Sequence, residues 1–192
     1  PSSFPCRFRI RLSRMTTDAS SSALATTALA ADRPSEAADG AASLRRLEAE
    51  LLAMPPVAAL ELRVDGYDGA SLRLSAPLAA NVNDKGCAFG GSLVSLMTLA
   101  GWGLVTAKLL DAGIEADVYV ADSEVRYRAP LYADLHAVAA LAEGEGWPAF
   151  VAMLRERGKA RLEVLTRIDT PDGIAACESR SRYVAKRRVA TE

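Results

Sequence analysis

Histidine is nearly missing: His136 is the only one in 192 residues. Ser-His-Asp and Cys-His nucleophiles and multi-histidine metal centres would all have to pass through that one imidazole, which sets those classes aside. Cysteine is scarce too. Cys6, Cys87 and Cys177 form an odd set without a CxxC pair, so neither a disulfide framework nor a structural zinc site is expected, no metal is assigned, and a reducing cytoplasm suits the chain. Charge of one sign is not in excess, since 23 basic against 24 acidic residues leave a net −1. Such a chain has no long-range attraction to nucleic acid or to an anionic membrane surface. The apolar uncharged part of Leu93–Leu110 falls short of the roughly 20 residues a bilayer span needs, so no membrane segment is expected. What is present is ordinary: 50% hydrophobic and 24% charged residues, enough to bury the core of one domain.

Residues 1–40 are rich in Ser, Ala, Thr and Arg, have no hydrophobic periodicity, and are expected to be a disordered tail. Arg7, Arg9, Arg11 and Arg14 precede the first acid, Asp18, a bias shared with organelle transit peptides; an over-extended start, with Met15 as the natural first residue, accounts for it as well. The domain is expected over 41–188. Leu44, Leu47, Leu51 and Leu52 recur at helical spacing until Pro55-Pro56. Leu60, Leu62 and Val64, then Leu72 and Leu74, alternate with polar residues around a Gly66–Gly69 turn and predict a hairpin. Leu93–Leu110 is apolar on every side, which predicts a buried helix. Strand patterns follow over 117–128, 135–142, 161–168 and 174–185, with a helical turn at 153–157. The order suits an α+β domain, an antiparallel sheet wrapped around one long buried helix.

The polar segment Asn81-Val82-Asn83-Asp84-Lys85-Gly86-Cys87-Ala88-Phe89-Gly90-Gly91-Ser92 leads straight into that helix. Tandem glycines let a ligand approach the backbone, and the first amides of a helix point outward with no internal acceptor. Such amides suit the carbonyl oxygen of a thioester as it gains negative charge.

Asn83, Gly86, Phe89, Gly90 and Gly91 resemble the hotdog thioesterase signature, in which an Asn, a Gly and a His-Gly-Gly triplet precede the central helix. With Asp122-Ser123-Glu124-Val125-Arg126-Tyr127 on the next strand, the chain is similar, over residues 42–187, to the thioesterase-like domain at the C-terminus of YiiD-type proteins, where Phe replaces the His. The resemblance implies a six-stranded hotdog fold that forms a homodimer, or a dimer of dimers, with sites between subunits. It implies acyl-CoA or acyl carrier protein as partner, with CoA or phosphopantetheine part of the substrate and no separate cofactor. It further implies that the Gly91 amide, with Gly90, binds the thioester oxygen, that Asn83 orients substrate or water, and that Phe89 and Ser92 line the substrate site.

One position departs from the family pattern. Where many hotdog thioesterases carry an acid about two turns into the helix, this chain has Thr98, and no acid occurs on the helix before Asp111. Hydrolysis would have to use Asp84, Asp122 or Glu124. Decarboxylation of a malonyl thioester, an activity the resemblance also suggests, needs an oxyanion site but no general base; there Thr98 or Ser95 would sit beside the leaving carboxylate without repelling it. A binding module that holds acyl-CoA without turnover is the remaining alternative. Each candidate also has a plain structural reading. Gly90-Gly91 reads as a turn, Asn83 as a loop cap, Asp84 as a solvated turn residue, Asp122 and Glu124 as partners of arginines, Cys87 as a small hydrophobe and His136 as structural. Arg180, Arg182, Lys186, Arg187 and Arg188 are either solvated or contacts for CoA phosphates.

Overall fold

Leucines at helical spacing give way to paired prolines near the start of the domain, and the computed structural model, which describes residues 44–188, shows what those prolines do. The tail expected over 1–40 lies outside the described residues. Residues 44–52 are helical (α1) and bury Leu47 and Leu51. The prolines end α1 and also start a second short helix, α2 (Pro55–Ala58), because proline fits the first turn of a helix, where its missing N–H is not needed. Leu60 and Leu62 therefore lie in a turn, and the first strand starts later than alternation suggested: β1 is Arg63–Tyr67 and β2 is Ser71–Ala76. Gly66 pairs with Arg73 inside the strand. The hairpin turns instead on Asp68, whose carboxylate accepts the amides of Ala70 and Ser71 at 3.0 and 2.7 Å. Those bonds hold its pKa down to about 2.

A one-turn helix, α3 (Leu78–Asn81), leads through the polar loop to α4 (Gly90–Asp111), 22 residues long and so longer than the apolar run alone predicted. By length and composition α4 reaches a membrane-spanning size, yet it is the core helix of this domain. Leu96, Met97, Leu104 and Val105 are all within 1% of complete burial, each contributing about 1.5–3 kcal/mol of apolar burial. After α4 come β3 (Ala116–Tyr127), β4 (Leu135–Leu141), α5 (Trp147–Arg157), β5 (Lys159–Asp169) and β6 (Ala175–Arg187). The helical turn expected at 153–157 is thus a full helix, started by Pro148 in its first turn and ended by Gly158 in the left-handed region at φ 66°.

All strand pairs are antiparallel, in the order β1-β2-β4-β5-β6-β3. The inner face of this six-stranded sheet carries Leu72, Leu74, Ala137, Ala139, Leu162, Val164, Tyr183 and Ala185 and wraps α4, which is the hotdog architecture. One irregularity decides what points inward on the edge strand β3. Val118 and Val120 pair with the buried Ala185 and Tyr183, but a bulge between Val120 and Asp122 inserts one residue and reverses the alternation. Ser123, Val125 and Tyr127 then face the helix side, and Asp122, Glu124 and Arg126 face away.

Candidate functional site

The loop before α4 is built to hold the helix start in place. Val82 and Ala88 form an isolated antiparallel bridge. The Ala88 amide donates to the Leu131 carbonyl at 2.8 Å and the Phe89 amide to the Asn81 carbonyl at 2.7 Å. Asn81 is itself 2% exposed, and its side-chain amide donates to the Leu60 and Pro77 carbonyls at 3.0 and 2.8 Å. Asn83 closes the turn from within: its Oδ1 accepts the Lys85 and Cys87 amides at 2.8 and 3.3 Å, and its Nδ2 donates to Cys87 Sγ at 3.2 Å and the Ala88 carbonyl at 3.4 Å. Gly86 takes φ 78°, a conformation this turn requires and other residues resist.

Held this way, α4 begins without a cap. Phe89 occupies the cap position and offers no side-chain acceptor. The first bond of the helix runs from the Leu93 amide to the Phe89 carbonyl, at 3.1 Å. The amides of Gly90, Gly91 and Ser92 therefore have no acceptor among the described residues, and together with the positive end of the helix they form a donor cluster. The Phe89 ring lies over Gly91, so close that a Cβ there would stand 2.3 Å from Phe89 Cε1, and only glycine fits beneath it. Ser95 and Thr98 follow Gly91 on the same face of the helix. Ser95 is exposed and Thr98 half-buried, whereas Leu93, Leu96 and Met97 on the other faces are buried.

Of the residues expected at the site, Gly90, Gly91, Ser92, Phe89, Ser95 and Thr98 share this helix start and its open face, and Asn83 supports it from the loop. Asp84 lies in that loop, exposed and ion-paired to Lys85 at 2.8 Å. Asp122 is not brought there: the bulge turns it to the outer face of the sheet, where it meets Arg182 at 3.4 Å. Glu124 stands on that same face and pairs with Arg126 at 2.6 Å. Two residues stood in the quoted motifs without a role assigned to them. Asn81 fixes the helix start through its backbone carbonyl, which has no residue signature; Tyr127 reaches the Gly90 carbonyl with its hydroxyl at 3.3 Å, and only the bulge aims it there.

The outer face of the sheet carries a groove of about 1200 Å³, lined among others by Glu124, Arg126, His136, Leu165, Arg167 and Arg180. It contains none of the helix-start residues. Its arginines are already paired, Arg126 with Glu124, Arg167 with Asp169 and Arg180 with Glu163, and at the other end of β6 Arg188 pairs with Asp117. These cations are thus engaged within the protein, and between them the groove is lined by apolar side chains such as Val138, Ala140 and Leu165. Among the described residues, no cluster of three or more His, Cys, Asp or Glu stands close enough to hold a metal ion.

Residues 45–187 match the family described as "Putative thioesterase (yiiD_Cterm)". The chain belongs to this family. Its fold is shared with solved structures. A protein of unknown function from Chlorobaculum tepidum is 28% identical with a TM-score of 0.71, covering 77% of this chain and 99% of that one. A protein from Shewanella oneidensis that carries the same thioesterase description is 26% identical with a TM-score of 0.67, covering 76% and 99% of the two chains. A thioesterase from Haemophilus influenzae, at 18% identity and a TM-score of 0.59 over 75% and 90% of the chains, shares the fold.

Proposed function

We propose that this member of the thioesterase family acts on acyl thioesters of CoA or acyl carrier protein, and that the unpaired amides at the start of α4 bind the thioester carbonyl oxygen. The observation that carries the reading is the uncapped helix start, where the amides of Gly90, Gly91 and Ser92 have no acceptor among the described residues. As water or another nucleophile attacks, the carbonyl oxygen gains charge, and amides already aimed at it stabilise that charge without reorganising. Asn83 acts in this reading as a positioning residue, since its hydrogen bonds run within the loop that sets the amides.

The same geometry favours a second reaction on one specific observation. The family position for a general base is Thr98, and the carboxylates Asp122 and Glu124 face outward in ion pairs. A base-free reaction suits such a site. In a malonyl thioester the bond between the carboxylate carbon and C2 breaks, carbon dioxide leaves, and the electron pair forms an enolate whose oxygen sits on the helix amides; a proton from water then gives the acetyl thioester.

We further infer a homodimer in the cytoplasm. The edge strand β3 is 12 residues long and, among the described residues, pairs on one side only, and it exposes Tyr119, Val120 and Tyr127 at 53%, 45% and 59%. A long, partly apolar free edge invites pairing with a second copy. Incubating the protein with panels of acyl-CoA and malonyl-carrier thioesters, following free thiol and weighing the products, tests the function. Thiol release supports hydrolysis, an acetyl thioester without thiol release supports decarboxylation, and binding without either product reduces the protein to an acyl-CoA binding module. Absence of both binding and turnover across the panels sinks the reading.

A further inference from the structure

The loop that presents the helix-start amides is tied to other elements at both of its ends, and one of the ties is a side chain. At the far end the Ala88 amide donates to the Leu131 carbonyl at 2.8 Å. At the near end Asn81, 2% exposed, donates through Nδ2 to the Pro77 carbonyl at the start of α3, at 2.8 Å, and to the Leu60 carbonyl in the turn between α2 and β1, at 3.0 Å. The backbone carbonyl of the same residue accepts the Phe89 amide at 2.7 Å. A hydrogen-bonded path thus runs from the α2–β1 turn through Asn81 to the residue on which α4 begins.

The residue type suits that path and little else. A side-chain amide offers two donors on one planar head, one for each carbonyl, whereas an ionised aspartate offers none. Packing does not call for it, because Asn81 Oδ1 is buried without a partner among the described residues, and a leucine of similar size would bury no such oxygen. The turn that Asn81 grips is itself strained. Glu61, next to Leu60, takes φ 53°, and it is the one non-glycine residue with a positive φ among the described residues. Two locally unfavourable features therefore meet where the loop is anchored, and such features persist where the surrounding structure over-determines them, typically at functional sites.

We propose that Asn81 is a positioning residue for the reaction: its side chain fixes the angle at which the loop delivers the helix-start amides to the thioester oxygen. The proposal rests on the acyl-thioester reading above. Asn81 acts through Phe89 and need not touch the substrate. Oxyanion donors work when they are aimed before charge develops, so a small rotation of the helix start weakens the transition state more than it weakens substrate binding. Asn83 differs, since its side-chain bonds stay inside the loop; Asn81 ties the loop to the domain.

The test compares Asn81→Ser and Asn81→Leu in the full chain, with whichever thioester the wild type converts. A serine hydroxyl bonds back to the Pro77 carbonyl, four residues earlier, but is too short to hold Leu60; leucine holds neither. Both variants lower kcat about 10-fold with KM held within about twofold. Hydrogen exchange at the Phe89 amide quickens in both, while exchange at Leu104 and Val105 inside α4 stays as in the wild type. Should the leucine variant not fold, the serine variant carries the test alone. Thr106→Val is the contrast: Thr106 Oγ1 is also buried without a partner, and its removal leaves kcat unchanged. Wild-type kcat at position 81, a fall in kcat without faster exchange at Phe89, a fall that only follows loss of folded protein, or an equal fall in Thr106→Val overturns the proposal while the thioester reading stands. If the wild type neither binds nor converts any thioester, both fall together.

Discussion

The central helix opens on one pair of glycines and carries a second pair further along, and the two pairs meet opposite surroundings. At Gly101 an added Cβ would lie 2.4 Å from the Tyr183 hydroxyl, and at Gly103 it would lie 2.6 Å from Leu72 Cδ2; both neighbours are 0% exposed. At Gly91 the clash is nominally as severe, 2.3 Å from Phe89 Cε1, but Phe89 is 56% exposed and has solvent to move into. The later pair lets the helix sink against the sheet, and the leading pair lets two exposed rings, Tyr127 and Phe89, lie against its start. Glycine content alone does not distinguish these uses. What surrounds the missing side chain does.

The strongest way to break this comparison is Gly101→Ala. The methyl group would drive a buried ring off the helix and disrupt its 2.9 Å bond to the Thr98 carbonyl. A net loss of about 2 kcal/mol is expected, overpacking outweighing the gain in helix propensity, and urea unfolding measures it. A loss below about 0.5 kcal/mol, the level of an ordinary surface change, would show that the interior gives way as easily as the open end. Gly91→Ala is the mirror experiment: unfolding unchanged within about 0.5 kcal/mol, and thioester turnover down about 10-fold, equal to about 1.4 kcal/mol of barrier. Gly103→Ala should cost about 0–1 kcal/mol of stability, less than Gly101→Ala, since a leucine methyl can rotate aside and helix propensity offsets part of the cost.

Much of this arrangement was legible in residue order. An all-apolar segment after a glycine-rich loop predicts a buried helix with an open start, and the alternation after position 116 predicts the strands. Two kinds of feature were not legible, for physical reasons. The prolines at 55 and 56 read as a stop, because proline cannot continue a helix, yet they equally well begin one. Simple alternation from Val118 and Val120 would carry Asp122 and Glu124 inward, where an acid would be useful. One inserted residue changes the phase of everything after it, and neither Ala121 nor its neighbours marks a bulge by residue type. The facing of Tyr127 was hidden by the same insertion, so the misplaced acid and the missed hydroxyl have one cause.

Two buried groups of β6, Tyr183 and Cys177, also make a prediction about pH. Burial pushes the Tyr183 phenol up to about 12 and the Cys177 thiol up to about 11, because neither anion is solvated where the folded chain holds it. In the unfolded chain these groups titrate near 10 and 8.5. Both folded values are raised, so the stability these groups contribute is complete below pH about 8.5, shrinks as the unfolded thiol and phenol ionise, and is gone once the pH passes the folded values. The melting temperature should therefore fall between pH 8.5 and 11 by a few degrees, about 2–4 °C for each kcal/mol in a chain of this size. Cys177→Ala removes the thiol's share, so the variant starts from its own lower stability but declines less over that interval. If its profile runs parallel to that of the wild type throughout, the alkaline loss belongs to groups elsewhere, and the fold does not depend on a buried neutral thiol at position 177.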